Sequence, residues 1–145
     1  MRRLLTYSTV LLVALAGTVA VAQKVTSPAE LDATMKKVAA AQGAVAKAIK
    51  SEAYADAKTQ VATVKQALMD AENFWVANKK DDAIKMSKEA IAKVTAVETA
   101  LSAATVDQQA AFAAFKEVGA TCAGCHKQYR VQNEDKTYSL APGTI

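Results

Sequence analysis

The sequence has almost nothing with which to make tight turns. Its two prolines are Pro28 and Pro142, and between them only Gly43, Gly119 and Gly124 interrupt the chain. The many tight turns of a β-sandwich or barrel have no residues to form them, so an all-β fold is excluded. Aromatics make up 6% of the chain, there is one histidine, and Cys122 and Cys125 are the only cysteines. That is too few ligand-type side chains for a four-ligand zinc site. A strong charge of one sign is also missing. The 18 basic and 14 acidic side chains leave a net +4, and no lysine or arginine cluster is interleaved with aromatics, which argues against nucleic acid as a partner. There is no repeat of roughly 20–50 residues and no Gly-rich phosphate loop.

What the chain has in quantity is alanine, 33 of its 145 residues, within a composition that is 52% hydrophobic. Alanine gives up least on entering a helix, and the length suits one small domain. An all-α domain is expected.

Residues 1–22 read as a secretory signal. Arg2 and Arg3 form a basic start, residues 4–22 are uncharged and mostly apolar, and Ala20-Val21-Ala22 before Gln23 has the small-x-small pattern of a cleavage site. The competing reading is an uncleaved membrane anchor, because 19 uncharged residues just span a bilayer, but Thr6, Tyr7, Ser8, Thr9, Gly17 and Thr18 dilute the run. No cysteine follows the cleavage site, which argues against a lipoprotein. Taking these 22 residues, with their two arginines, off the chain leaves 123 residues and a charge of +2. The expected location is the periplasm, free of the membrane once the signal is removed.

Residues 23–131 divide into four helical stretches, and short connections make neighbours antiparallel, so a four-helix bundle is expected. The first stretch opens on Ser27-Pro28-Ala29-Glu30, a capping box with proline at the first helical position. Leu31, Met35, Val38, Ala41, Val45 and Ile49 then share one face, and Gln42 interrupts the heptad. The second runs from about Tyr54 to Val76 with Ala57, Val61, Val64, Leu68, Ala71, Phe74 and Trp75 inward, while Lys58, Lys65, Asp70 and Glu72 read as solvated surface. The third carries Ile84, Ile91, Val94, Val97 and Leu101. The fourth starts near Asp107 and lines up Phe112, Phe115, Gly119, Cys122, His126 and Tyr129 as an expected buried seam. Residues 132–145 show no period and read as a tail, frayed or draped over the bundle.

Chemistry concentrates in Cys122-Ala123-Gly124-Cys125-His126. In a secreted chain, Cys-x-x-Cys-His is the attachment signature of c-type haem, with two thiols for the two vinyl groups and the adjacent imidazole for iron. Cysteines three apart project from one side of a helix, and Gly124 is too small to obstruct a porphyrin. A thioredoxin-type dithiol would need a βαβ context that is absent, and a plain disulfide does not account for His126.

A secreted chain of this length, read as four antiparallel helices with Cys-x-x-Cys-His near its C-terminus, resembles the class II c-type cytochromes, that is cytochrome c′ and its low-spin relatives of the c-556 type. The run from Val118-Gly119-Ala120-Thr121-Cys122 to His126-Lys127-Gln128-Tyr129-Arg130 is similar to the last helix of that family. The resemblance implies that Arg130 flanks the proximal haem face. Taken alone, Arg130 reads equally well as a helix-end cation interacting with the dipole. Two departures stand out. The connection between the second and third helices is shorter than in many members, and an arginine often found in helix one near a haem propionate is missing, with Leu31 in the preceding turn. Lys36 and Lys37 are the alternative cations for that role.

The residue on the other side of the iron decides the function. With no second histidine, the candidates are Met35, Met69, Met86 or nothing, and by periodicity only Met35 faces the core. The spacing from Met35-Lys36 to Lys50-Ser51 and Tyr54 is similar to that following the axial methionine of c-556-type proteins. His126 with Met35 implies low-spin iron and a raised potential in an electron carrier that is not an enzyme and meets redox partner proteins by transient contact. Val38, Leu68, Phe74, Trp75, Phe112 and Phe115 would wall the haem. The rival function is binding of nitric oxide or carbon monoxide at an open distal site, as in cytochrome c′. A peroxidase would need a polar distal acid or base, and no second histidine supplies one. Members of the family often pair through their first two helices, and Ala33, Ala40 and Ala44 would offer a small-residue face for a homodimer.

Overall fold

A computed structural model describes residues 24–145; the signal assigned to residues 1–22 lies outside the described residues. These residues are mostly helical. Four helices, α1 (Pro28–Lys50), α2 (Tyr54–Ala77), α3 (Asp81–Leu101) and α4 (Gln108–Tyr129), are followed by two short strands, β1 (Arg130–Gln132) and β2 (Tyr138–Leu140). No described helix is long and apolar enough to cross a membrane.

The helix starts follow from local chemistry. The Ser27 Oγ accepts from the Glu30 N–H at 3.3 Å, and the Glu30 carboxylate accepts from the Ser27 N–H at 3.0 Å and the Thr26 N–H at 2.8 Å. Together these satisfy amides that the first turn leaves without intrahelical partners. Asp107 caps α4 in the same way, its Oδ1 accepting from the Gln109 and Ala110 N–H groups at 2.8 and 3.0 Å. Scarcity of glycine shows at the turns. The links over 51–53 and 78–80 need left-handed residues, and Glu52 (φ 57°) and Lys79 (φ 55°) take that conformation.

Short links make consecutive helices antiparallel neighbours. α1 packs along α2, α2 along α3 and α3 along α4, whereas α1 and α4 meet only sparingly. The interior is built mainly from small aliphatic side chains. One cluster gathers Val45, Ile49, Val61, Val64, Val94, Val97 and Leu101. The other gathers Val25, Leu31, Ala71, Phe74, Trp75, Ala83 and Tyr129. In the second, Phe74 meets Trp75 edge to face at 5.0 Å between ring centroids, and Trp75 meets Tyr129 at 5.0 Å.

Three expectations change. Asp70, read as surface, is buried, and its Oδ1 accepts from the Gln66 Nε2 at 2.9 Å, one helical turn away. The seam of α4 is also rotated. Its fully buried residues are Ala111, Val118 and Tyr129, while Phe112, Phe115, Cys122 and His126 are half-buried and Gly119 is exposed. The cause is the uneven packing of α4, which rests closely on α3 and only lightly on α1, so its line of larger side chains faces the looser side. Finally, of the two alternatives for the C-terminal stretch it is the draped one that is found, as a hairpin, and the boundary expected after residue 131 moves. β1 and β2 pair antiparallel with Arg130 opposite Leu140, Val131 opposite Ser139 and Gln132 opposite Tyr138, so a boundary after residue 131 falls inside β1. Leu140 packs against the second cluster, and the Ala141 N–H donates to the Tyr129 carbonyl at 2.9 Å.

Candidate functional site

The last two turns of α4 carry Cys122, Cys125 and His126. Both cysteines are free thiols. Beside them a groove of about 540 Å³ opens between α4, the Gln42 side chain of α1 and the hairpin. Its volume falls within the range of sites that take small molecules or cofactors. Cys122, His126 and Arg130 line it, and so do Gln42, Gln132 and Tyr138. A Cβ placed on Gly119 or Gly124 would meet nothing within 4 Å, so the helix surface next to the thiols is open.

His126 is half-buried, and no hydrogen bond to its imidazole is found among the described residues. Burial holds its proton affinity below the ordinary value, and the Arg130 charge lowers it further. The ring is thus neutral near pH 7 with a nitrogen lone pair to offer. Cys122 is in contact with Gln42, whose Nε2 lies 3.8 Å from its Sγ. Burial pushes the Cys125 thiol up to about 11, with Cys122 and then Asp82 adding to the shift.

The residues singled out in the sequence fall into two groups. Cys122, His126 and Arg130 share the groove. Cys125, Met35, Phe74 and Trp75 share the second core cluster on the other side of the same helix turn. Met35 is half-buried and touches both clusters, but it does not line the groove; Gln42, one heptad further along α1, does. Met69 is 44% exposed, which removes it from the inward-facing set. Met86, set aside by periodicity, is half-buried against the second cluster, so α3 brings a second thioether to the side of Cys125. Periodicity mis-sorted it because inclusion at the edge of a stripe depends on how neighbouring helices tilt.

Arg130 ends α4, and its guanidinium lies over the Tyr138 ring, 4.1 Å from the centroid. Of the two lysines offered as alternative propionate cations, Lys36 is paired with Asp32 at 2.7 Å on the surface. Ala33 and Ala40 are exposed, and Ala44 is half-buried. Sequence reasoning missed Gln42, Gln132 and Tyr138. Gln42 did carry a signal, as the polar residue interrupting the apolar stripe of α1; the hairpin residues carried none, because their position depends on the chain reversing after α4.

Among the described residues no group of three or more His, Cys, Asp or Glu side chains is placed to hold a bare ion. Two thiols and one imidazole on one helix turn, with Cys122 and His126 in the groove wall and Cys125 toward the second cluster, are the donor types that covalent haem attachment asks of a protein: two sulfurs and one ring nitrogen. No family model, curated protein or solved structure matches the chain.

Proposed function

We propose that this protein is a periplasmic c-type cytochrome that carries single electrons, with one haem attached through Cys122 and Cys125. The observation that carries the reading is one helix turn with two free thiols and a half-buried imidazole, Cys122 and His126 in the wall of the groove and Cys125 against the second core cluster. Each S–H would add across a vinyl group, forming a C–S bond and delivering the hydrogen to the neighbouring carbon. When bound, haem supplies the ferric/ferrous couple. His126 would offer its nitrogen from α4, and Met35, which packs against both core clusters, would offer a soft thioether from α1; such a pairing would favour the ferrous state and ask for little rearrangement between oxidation states. Phe74 and Trp75, 0% and 4% exposed, keep water from the Cys125 side. Partner proteins would be met through a small transient interface at the open edge of the groove.

A second reading, reversible binding of nitric oxide or carbon monoxide at an open iron position, is favoured by one observation: Met35 does not line the groove that holds His126. The absorption spectrum of periplasmically matured protein, ferric and ferrous, repeated for Met35→Ala, separates the two. A low-spin spectrum with a far-red thioether band that the variant loses is the expected result for the carrier. A high-spin spectrum that ignores the substitution, with ready carbon monoxide binding, would replace the carrier with the gas binder. Colour that extracts into acidified organic solvent, or no colour at all, would sink both.

A further inference from the structure

We propose that Tyr138, on the C-terminal hairpin, is a positioning residue that holds the Arg130 guanidinium beside His126 and thereby raises the reduction potential of the iron His126 would ligate. The inference rests on the haem reading above. The hairpin register places Arg130 opposite Leu140 and Gln132 opposite Tyr138, so these four side chains stand on one face, with Arg130 and Tyr138 as diagonal neighbours. The 4.1 Å from guanidinium carbon to ring centroid lies well inside the roughly 6 Å reach of a cation–π contact. Among the described residues no carboxylate pairs with Arg130. The ring is therefore what holds it.

The platform is itself fastened. Leu140 packs into the second core cluster, the Ala141 N–H donates to the Tyr129 carbonyl at 2.9 Å, and Thr144 is buried with its hydroxyl donating to the Ala141 carbonyl at 2.6 Å. Arg130 and Tyr138 line the same groove as His126, and Arg130 follows the histidine by four residues. An arginine loose in water samples many rotamers, and salt screens its field. Fixed against the ring, it keeps a positive charge near the iron, where charge opposes the more positive ferric state.

The test uses haem-loaded, full-length protein carrying Tyr138→Leu, Tyr138→Phe or Arg130→Gln, with midpoint potentials read by spectroelectrochemistry. Tyr138→Leu and Arg130→Gln should each shift the one-electron equilibrium toward the ferric form by up to about tenfold, which is 59 mV. Their combination should add nothing further. Tyr138→Phe keeps the ring and should stay within about twofold of wild type. In parallel, exchange of the Arg130 Nε–H with water, followed by NMR, should speed up in Tyr138→Leu and not in Tyr138→Phe. A Tyr138→Leu potential equal to wild type, or a Tyr138→Phe loss as large as that of leucine, overturns the proposal. If Tyr138→Leu does not fold, an Arg130→Gln potential equal to wild type overturns it instead. Wild-type protein without covalent haem overturns both this and the reading beneath it, whereas haem-loaded protein insensitive to both substitutions overturns this alone.

Discussion

The Tyr129 hydroxyl donates to the Asp82 carboxylate and so ties the last turn of α4 to the first turn of α3, one helical turn beyond Cys125. The ring of Tyr129 is buried against Trp75 while its hydroxyl meets Asp82, so one side chain joins the second core cluster to an interhelical hydrogen bond. Tyr129→Phe keeps the packing and loses the bond, and should cost about 1 kcal/mol in urea unfolding.

The same pair has a pH signature. The Tyr129 hydrogen bond holds the Asp82 carboxyl below its ordinary value of 3.8. A depressed native value means the stabilisation is present above the unfolded value and is lost as pH falls through the native one. Burial, followed by Asp82, raises the Tyr129 phenol to about 12, so its neutral form is favoured in the fold and stability declines as pH rises from the ordinary value of 10.0 toward 12. Wild type and Tyr129→Phe should therefore differ by a constant amount across neutral pH and converge at both extremes. Parallel curves down to pH ~2 would show that the Asp82 contact contributes nothing.

Lys79 and Glu52 occupy left-handed backbone in the two three-residue links, where a Cβ is unfavourable. Lys79→Gly and Glu52→Gly should each stabilise by up to about 1 kcal/mol, and Lys79→Ala should not. Urea midpoints of the three variants decide it.

Phe74 is fully buried, whereas Phe112 lies half-buried on the loosely packed side of α4. Phe74→Ala should cost roughly 3–5 kcal/mol, close to the whole stability of a marginal domain. Phe112→Ala should cost less than half as much, because much of its surface is already in water. Equal losses would return Phe112 to the core.

In haem-free Cys122→Ser protein, Cys125 stays half-buried against the second cluster, and this partial burial is the main cause of its raised thiol value. Alkylation by iodoacetamide near pH 8 should run at least about tenfold slower than for a free cysteine and accelerate as the pH approaches 11. Mass spectrometry of timed samples gives the rates. A rate equal to that of free cysteine would mean that partial burial does not shield this thiol.

Local signals carried much of the architecture. The capping box at Ser27, the helix start near Asp107 and the stripes of the first two helices depend on residues within a turn or two of each other, and these are found where expected. Cys-x-x-Cys-His is likewise local, a spacing on one helix that needs no partner to be read. What lay beyond sequence was set by how elements meet. The light packing of α1 on α4 rotated the α4 seam, opened the groove, put Gln42 in its wall and left Met35 outside it. Asp70, read as surface from its charge, is buried between Ala67 and Phe74 at the edge of the apolar face of α2. The hairpin over Arg130 to Leu140 has strands of three residues, too short for a periodic signal, and is held by Leu140 in a core built from distant parts of the chain. Helix formation and capping are decided within a few residues, so the sequence alone determined them. Which face turns inward, and what stands beside His126, depends on the balance of contacts among four helices and a returning strand, and only the tertiary structure decided it.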